Sequence, residues 1–223
     1  MEDQLIEYLE TFVTERRANL IKKILELRTR YLTVAVENIY QTHNASAVLR
    51  TCDCFGIQDV HIIEGRNAFT VNPEIAMGAS KWLSIHKYEN SVKGKDSAIE
   101  SLKNQGYRIV ATTPHTNDQD LEKFNLQKGK AAFIFGTELN GISDEVLSQA
   151  DEFVKIPMVG FTESFNISVS VAIVLHHLSS VLRKSKLPWQ LTAEEKKSIQ
   201  LKWLKSTIRD SDQIVENFLE KKK

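Results

Sequence analysis

The sequence predicts an α/β fold in which a mostly parallel sheet carries helices on both faces, with a helical extension at each end. Three observations carry that expectation. Between residues 31 and 184, short runs rich in β-branched and aromatic residues alternate with segments of helical periodicity. Several of those runs are apolar without a break, as strands covered on both faces must be. The flanking segments, 1–30 and 185–223, show helical spacing and no such run. With 223 residues, 42% of them apolar, the chain suffices for one well-buried core with terminal additions and is short for two full domains.

Taken in order, Leu5, Leu9 and Phe12, then Leu20, Ile21, Ile24 and Leu27, recur at helical spacing as far as Arg30 with neither Gly nor Pro among them, so one long helix or two are expected. Residues 32–39 (LTVAVENI) read as a strand, 44–56 (NASAVLRTCDCFG) as a helix opened by Asn44 and stopped by Gly56, and 59–64 (DVHIIE) as a second strand. Strands follow at 83–88 and 107–113, on either side of a helix over 94–106, and then comes a polar segment around 118–128. The apolar runs 131–136 and 153–158 read as strands on either side of a helix over 143–150, for which Ser143 is a plausible N-cap with Asp144 and Glu145 in the first turn. A helix from Asn166 to Lys184 closes the domain. Beyond Leu187-Pro188-Trp189, the remaining residues form two amphipathic helices.

Composition excludes several classes. No stretch approaches the roughly 18 uninterrupted apolar residues of a membrane span, and the start, MEDQLIEYLE, is acidic where a secretory signal is basic, so a cytoplasmic protein is expected. Cys52 and Cys54 are too close together for an ordinary disulfide, and no other cysteine completes a zinc site; no metal is expected. Net charge is zero but unevenly spread. Residues 183–223 hold eleven Lys/Arg against six Asp/Glu, residues 16–30 six against one, and residues 31–182 twelve against seventeen. The basic ends could follow a phosphate backbone or be solvated helix faces.

Three stretches look over-specified for a scaffold. In ENIYQTHNASAVLRTCD (37–53) a strand end leads through a polar loop to Asn44 and then Arg50, whose planar fork suits a phosphate or ribose. In FIFGTELNGIS (133–143) a strand runs straight into Gly136, Glu138 and Gly141. In KIPMVGFTESFNISVSVAIVL (155–175) a strand and a loop lead to Ser164 and Asn166 at the head of an apolar helix. Each has a bland reading as turn glycine, helix cap or solvated carboxylate. Their convergence counts against it, because all three follow the C-terminal ends of expected strands, where open α/β sheets bind ligands. Neither GxGxxG nor GxxxxGK[ST] occurs, so an ordinary nucleotide cradle is disfavoured.

These stretches resemble, in order and spacing, the three signature motifs of the SpoU family of RNA ribose methyltransferases in the SPOUT superfamily. NASAVLRTCD is similar to the first, FGTELNGIS to the second and IPMVGFTESFNISVSVAI to the third, so the likeness spans residues 32–183. Phe165 and Ile167 depart from it, standing where the family usually has Leu and Val; both are apolar replacements that remove no chemical group. The resemblance implies a deep trefoil knot in the C-terminal half of the domain. It also implies S-adenosylmethionine as cofactor, held by backbone groups around Gly136, Ile156, Met158 and Phe165 with Thr112 nearby, and a homodimer whose active site is completed across the interface. Arg50 becomes the candidate to take the ribose 2'-OH proton, although a guanidinium, which holds its own proton tightly, is a poor base. It needs Glu138 or a substrate phosphate to orient it, or it fixes that phosphate while another group accepts the proton. Asn44 would position Arg50 or the ribose, Glu138 would fix the cofactor or its loop, and Ser164 and Asn166 would shape the pocket.

The terminal segments resemble the extensions of the family branch that methylates guanosine 18 of tRNA. On that reading Arg16, Arg17, Lys22, Lys23, Lys202 and Lys205 hold tRNA phosphates. Alternatively the extensions brace a dimer, and Trp189, Trp203 and Leu204 are expected in a core in either case. The competing substrates are ribosomal RNA and the tRNA anticodon loop. A protein that binds RNA without catalysis is the remaining reading, and it would need a damaged motif, which the chain lacks.

Overall fold

In the computed structural model, which describes residues 1–39, 41–65, 70–76, 78–89, 97–114, 118–137 and 139–220, the chain begins with α1 (Glu2–Glu10) and α2 (Glu15–Leu25). It continues through β1 (Leu32–Glu37), α3 (Thr42–Cys54), β2 (Asp59–Glu64), α4 (Pro73–Ala76), β3 (Ser84–Glu89), α5 (Ala98–Asn104) and β4 (Arg108–Thr112). Then come β5 (Gln119–Asp120), β6 (Ala131–Phe135), α6 (Asp144–Leu147), β7 (Glu152–Lys155), α7 (Ile167–Lys184), α8 (Ala193–Thr207) and α9 (Ser211–Glu220). Two compact units result: residues 30–189, and a helical unit assembled from both chain ends, 1–29 and 190–223.

The larger unit is a seven-stranded sheet in the order β3-β2-β1-β6-β4-β7-β5, every described pairing parallel. Both faces are covered, which is why β1 and β6 are buried along their whole lengths. Leu32, Val34, Val36, Phe133 and Phe135 pack with α3 and α7 through Val48, Leu49, Val171, Val174 and Leu175. Ala35, Ala132 and Ile134, offset by one residue, pack on the other face with Ile99 and Leu102 of α5 and Val146 of α6. Side-chain caps fix the helix starts: Ser97 accepts from the Glu100 amide, Ser143 from Val146 and Asn166 from Ser168.

Several expected elements differ. The strand expected over 153–158 stops at Lys155, because Pro157 has no amide hydrogen for a ladder. The helix expected over 143–150 is one turn, Asp144–Leu147. The polar segment 118–128 contains β5, which pairs with β7 at Gln119 and Asp120. Residues 94–96 of the helix expected over 94–106 lie outside the described residues.

In the helical unit, Ile6, Leu9, Ile21, Leu25, Ile199 and Leu204 are buried, and the wholly buried Trp203 has the Arg28 guanidinium 5.2 Å over its ring. Thr192 and Glu195 form a capping box at the head of α8. Ion pairs cross between the two chain ends, Lys197 with Asp3 at 2.8 Å and Lys196 with Glu26 at 2.6 Å.

A cluster of titratable groups lies between β2 and β3. His61 is fully buried, its Nδ1 lies 3.0 Å from the Tyr88 hydroxyl, and its ring stacks on His86 at 4.7 Å. His86 Nε2 is 3.0 Å from Asp59, which also takes Arg30 at 2.6 Å. Burial first, and then the charge of His86, pushes His61 down to about 4 from 6.5. Burial raises the Asp59 carboxyl, but the His86 and Arg30 contacts outweigh it and leave Asp59 lowered, so it titrates below the His61 window. Between pH 6.5 and about 4 the unfolded chain binds a proton at His61 that the folded chain refuses. Stability therefore falls by roughly 3 kcal/mol as pH drops through that range. Urea unfolding from pH 7 to 4.5 is expected to show this loss, and His61→Gln to flatten it; equal slopes would remove His61 as its source.

Candidate functional site

Strands β4, β6 and β7 are neighbours, so Thr112, Gly136 and Ile156 stand side by side where three chain segments leave the C-terminal edge of the sheet. β1 adjoins β6 there. From β1 the chain moves outward to β2, and from β6 it moves past β4 to β7. The strand order thus reverses between β1 and β6, the position at which open α/β sheets bind ligands.

The first stretch supplies the links. α3 begins at Thr42, two residues before the expected start, and Asn44 lies buried in its first turn. The Asn44 amide nitrogen donates to Gln41 Oε1 at 3.1 Å, and its oxygen accepts from Asn166 Nδ2 at 3.1 Å. Asn166, not Ser164, caps α7: its oxygen accepts from the Ser168 amide at 2.9 Å and the Ser168 hydroxyl at 2.6 Å. The asparagine pair thus holds the N-termini of two helices together, and both helix dipoles favour negative charge there. Arg50 lies six residues further along α3, exposed, and makes no hydrogen bond or ion pair among the described residues. Cys52 is buried and Cys54 exposed on the same helix. Among the described residues no group of three or more His, Cys, Asp or Glu is placed to hold a metal.

The second stretch forms a tight loop. Thr137 and Gly141 exchange two backbone hydrogen bonds of 2.9 Å, and the Asn140 amide donates to the Thr137 hydroxyl at 3.0 Å. A Cβ on Gly136 would stand 2.0 Å from the Gly141 carbonyl and 2.3 Å from the Ile142 nitrogen, so the glycine is demanded by the loop's own backbone. Gly141, at φ +66, occupies the left-handed region. Glu138 lies outside the described residues. Thr112 donates its hydroxyl to the Ile134 carbonyl at 2.8 Å across the β4–β6 pair.

The third stretch is open chain. From Ile156 to Phe165 no residue makes a backbone–backbone hydrogen bond among the described residues. Ten consecutive residues therefore offer main-chain donors and acceptors beside apolar groups: Ile156 and Met158 are half-buried, and Phe165 is 40% exposed. Val159 and Phe161 are fully exposed, and Ser164 is exposed. Such a surface suits a flat heterocycle with hydroxyls.

Glu37 opens the first stretch, and the sequence alone assigns it no role. It ends β1, is buried, and accepts from the Ser143 amide at 2.8 Å and the Ser143 hydroxyl at 2.5 Å. Its signal is a carboxylate closing a run that is apolar but for Thr33, since a buried charge must find donors.

Of the basic residues in the helical unit, Arg16, Arg17 and Lys23 are exposed on α2 and make no ion pair among the described residues. Lys22 pairs with Glu10 at 2.8 Å and Lys205 with Asp212 at 3.0 Å, while Lys202 is exposed. Trp203 and Leu204 are core residues, and Trp189 packs against the core of the sheet unit with the Arg183 guanidinium 5.1 Å over its ring.

A family model described as the SpoU rRNA Methylase family matches residues 31–176. Over 222 residues the chain is 43% identical to the tRNA (guanosine(18)-2'-O)-methyltransferase of Borreliella burgdorferi, covering 98% of this chain and 99% of that one. The crystal structure of the A. aeolicus TrmH/SpoU tRNA modifying enzyme matches with a TM-score of 0.77 at 29% identity, over 88% of this chain and 98% of that one. The SpoU methyltransferase AviRb from Streptomyces viridochromogenes, solved in complex with the cofactor AdoMet, shares the fold. Its TM-score is 0.60 at 20% identity, over 74% of this chain and 62% of that one.

Proposed function

Because this chain belongs to the SpoU rRNA Methylase family, we propose that it transfers a methyl group from S-adenosylmethionine to a ribose 2'-hydroxyl of tRNA, that of guanosine 18 in the D-loop. The observation that carries this reading is the 43% identity to an enzyme of that name, which extends over 98% of the chain and so takes in both terminal helical segments as well as the sheet.

The site chemistry agrees. S-adenosylmethionine supplies a methyl group already activated on a sulfonium, which leaves the protein the tasks of placing the 2'-oxygen and disposing of its proton. The open segment from Ile156 to Phe165, with Gly136 and Thr112 beside it, fits an adenosyl group: main-chain donors and acceptors with no backbone partner among the described residues for its polar edge, apolar side chains for its faces. Arg50, with no acidic partner among the described residues, holds the substrate phosphate in two-point fashion and orients the 2'-hydroxyl. Asn44 and Asn166 fix the floor on which the ribose rests, and Ser164 lines it.

The same reading gives the chain between β7 and α7 a deep trefoil knot. It is supported by β6 lying between β1 and β4 while α7, leaving from β7, packs on α3 beside β1. The enzyme acts in the cytoplasm as a homodimer. The outer face of α7, starting one turn from Asn166, lines a groove of about 680 Å³ with Val169, Ala172, Ile173 and His176, and a second copy covers it. Residues 31–184 form the catalytic domain, and the extensions 1–30 and 185–223 widen the RNA surface. Replacing Arg16, Arg17 and Lys23 with Ala together is expected to weaken tRNA binding and to reduce the slope of log K against log salt by roughly 2 to 3. An unchanged slope would leave α2 a structural helix.

Methyl transfer from labelled S-adenosylmethionine to unmodified tRNA and to ribosomal RNA, with the modified ribose mapped by resistance to alkaline cleavage, tests the function. Label at guanosine 18 is expected. Label elsewhere keeps the chemistry and changes the substrate, and cofactor binding without transfer favours an RNA-binding protein.

A further inference from the structure

Glu37 is charged, buried and outside every role assigned above. It sits at the C-terminal end of β1, the strand next to β6, and both of its carboxylate oxygens accept hydrogen bonds from Ser143. Ser143 closes the loop that begins at Gly136, and its hydroxyl also accepts from the Val146 amide as the cap of α6. Near its start, the loop is held by its own backbone, through the Thr137–Gly141 pair. At its far end it is held by Glu37, from a different strand. The segment from Glu37 to Asn44 therefore ties down both other stretches: Glu37 holds the second through Ser143, and Asn44 holds the third through Asn166.

We propose that Glu37 is a positioning residue for methyl transfer, setting the loop 136–143 at the height at which it meets the cofactor. The proposal rests on the assignment of that loop to S-adenosylmethionine. A buried carboxylate with two short donors holds one geometry, because each alternative leaves a charge unpaired away from water. Without it the loop keeps its internal turn but loses its fixed distance from β1, and its main chain meets the cofactor poorly. The cost falls on cofactor affinity more than on the chemical step.

Glu37→Ala is expected to raise the dissociation constant for S-adenosylhomocysteine, measured by calorimetry, about tenfold. The KM for S-adenosylmethionine should rise by a similar factor, and kcat should change less. Amide exchange in residues 137–142 should speed up while that of β1 and β6 stays slow. Glu37→Gln should recover most of the affinity, since its amide still accepts from the Ser143 amide and donates to the hydroxyl. Ser143→Ala keeps the main-chain bond and should show a smaller effect of the same kind, so the idea stays testable if Glu37→Ala does not fold. Adding Ser143→Ala to Glu37→Ala should cost little more than Glu37→Ala alone. A folded Glu37→Ala or Ser143→Ala with unchanged S-adenosylhomocysteine affinity and unchanged exchange at 137–142 would overturn the proposal. If the unmodified protein bound no S-adenosylhomocysteine, the cofactor assignment would fail instead, and amide exchange alone would still report whether Glu37 holds the loop.

Discussion

Arg50→Ala is expected to lower single-turnover methyl transfer by about 10² to 10⁴, the range for losing a group that orients or deprotonates a nucleophile. The side chain is exposed and makes no hydrogen bond or ion pair among the described residues, so its removal leaves no buried partner unsatisfied. Unfolding free energy should stay within about 0.5 kcal/mol of the original. S-adenosylhomocysteine affinity should be unchanged, because Arg50 lies on α3 and not on the chain segments that follow β4, β6 and β7. Arg50→Lys separates two roles. If Arg50 holds a phosphate in two-point fashion, lysine restores charge without the fork, and rescue should be partial at best. Turnover intact in Arg50→Ala would remove the residue from the mechanism.

Gly136→Ala should be the most damaging small substitution in the site. The added methyl would stand 2.0 Å from the carbonyl carbon and oxygen of Gly141 and 2.3 Å from the nitrogen of Ile142, all main-chain atoms that cannot rotate aside. Relief requires moving the whole turn. A loss of about 3 kcal/mol, and hence a melting temperature lower by roughly 6 to 12 °C, is expected together with loss of S-adenosylhomocysteine binding in the molecules that remain folded. Gly141→Ala is the control. Its methyl would enter open space, and only the positive φ is unfavourable, at a cost of about 1 to 2 kcal/mol. A melting curve for Gly136→Ala above that for Gly141→Ala would contradict the close approach.

What could be read from the sequence follows from the range over which each interaction acts. The buried strands β1 and β6 were legible because covering both faces favours an apolar residue at nearly every position, Thr33 and Glu37 of β1 being the exceptions. β5 was not, since Gln119 and Asp120 are polar and become a strand only by pairing with β7. β7 was read three residues too long because Ile156 and Met158 continue its apolar pattern, although Pro157 already ends the ladder. Within the site, the residue types of the three stretches were visible, and so was their place after strand ends. The Asn44–Asn166 bond was not, for it joins residues 122 apart through the packing of α7 on α3. Nor was the role of Glu37, whose partner lies 106 residues away. The zero net charge, which taken alone argues against RNA, coexists with exposed basic groups such as Arg16, Arg17 and Lys23 because residues 31–182 carry seventeen Asp/Glu against twelve Lys/Arg.

The helical unit drawn from both chain ends has a consequence for biosynthesis. α1 and α2 leave the ribosome well before the α8 against which they pack, which begins at Ala193. At roughly 5 to 20 residues per second, about 10 to 30 s pass before that partner emerges. Through this interval Ile6, Leu9, Ile21 and Leu25 have no completed core to enter, and the nascent chain exposes a sticky apolar face while the sheet is being made. A premature stop near Gln190 would therefore harm the first thirty residues as surely as the last, leaving two orphaned helices as a target for chaperones and proteases.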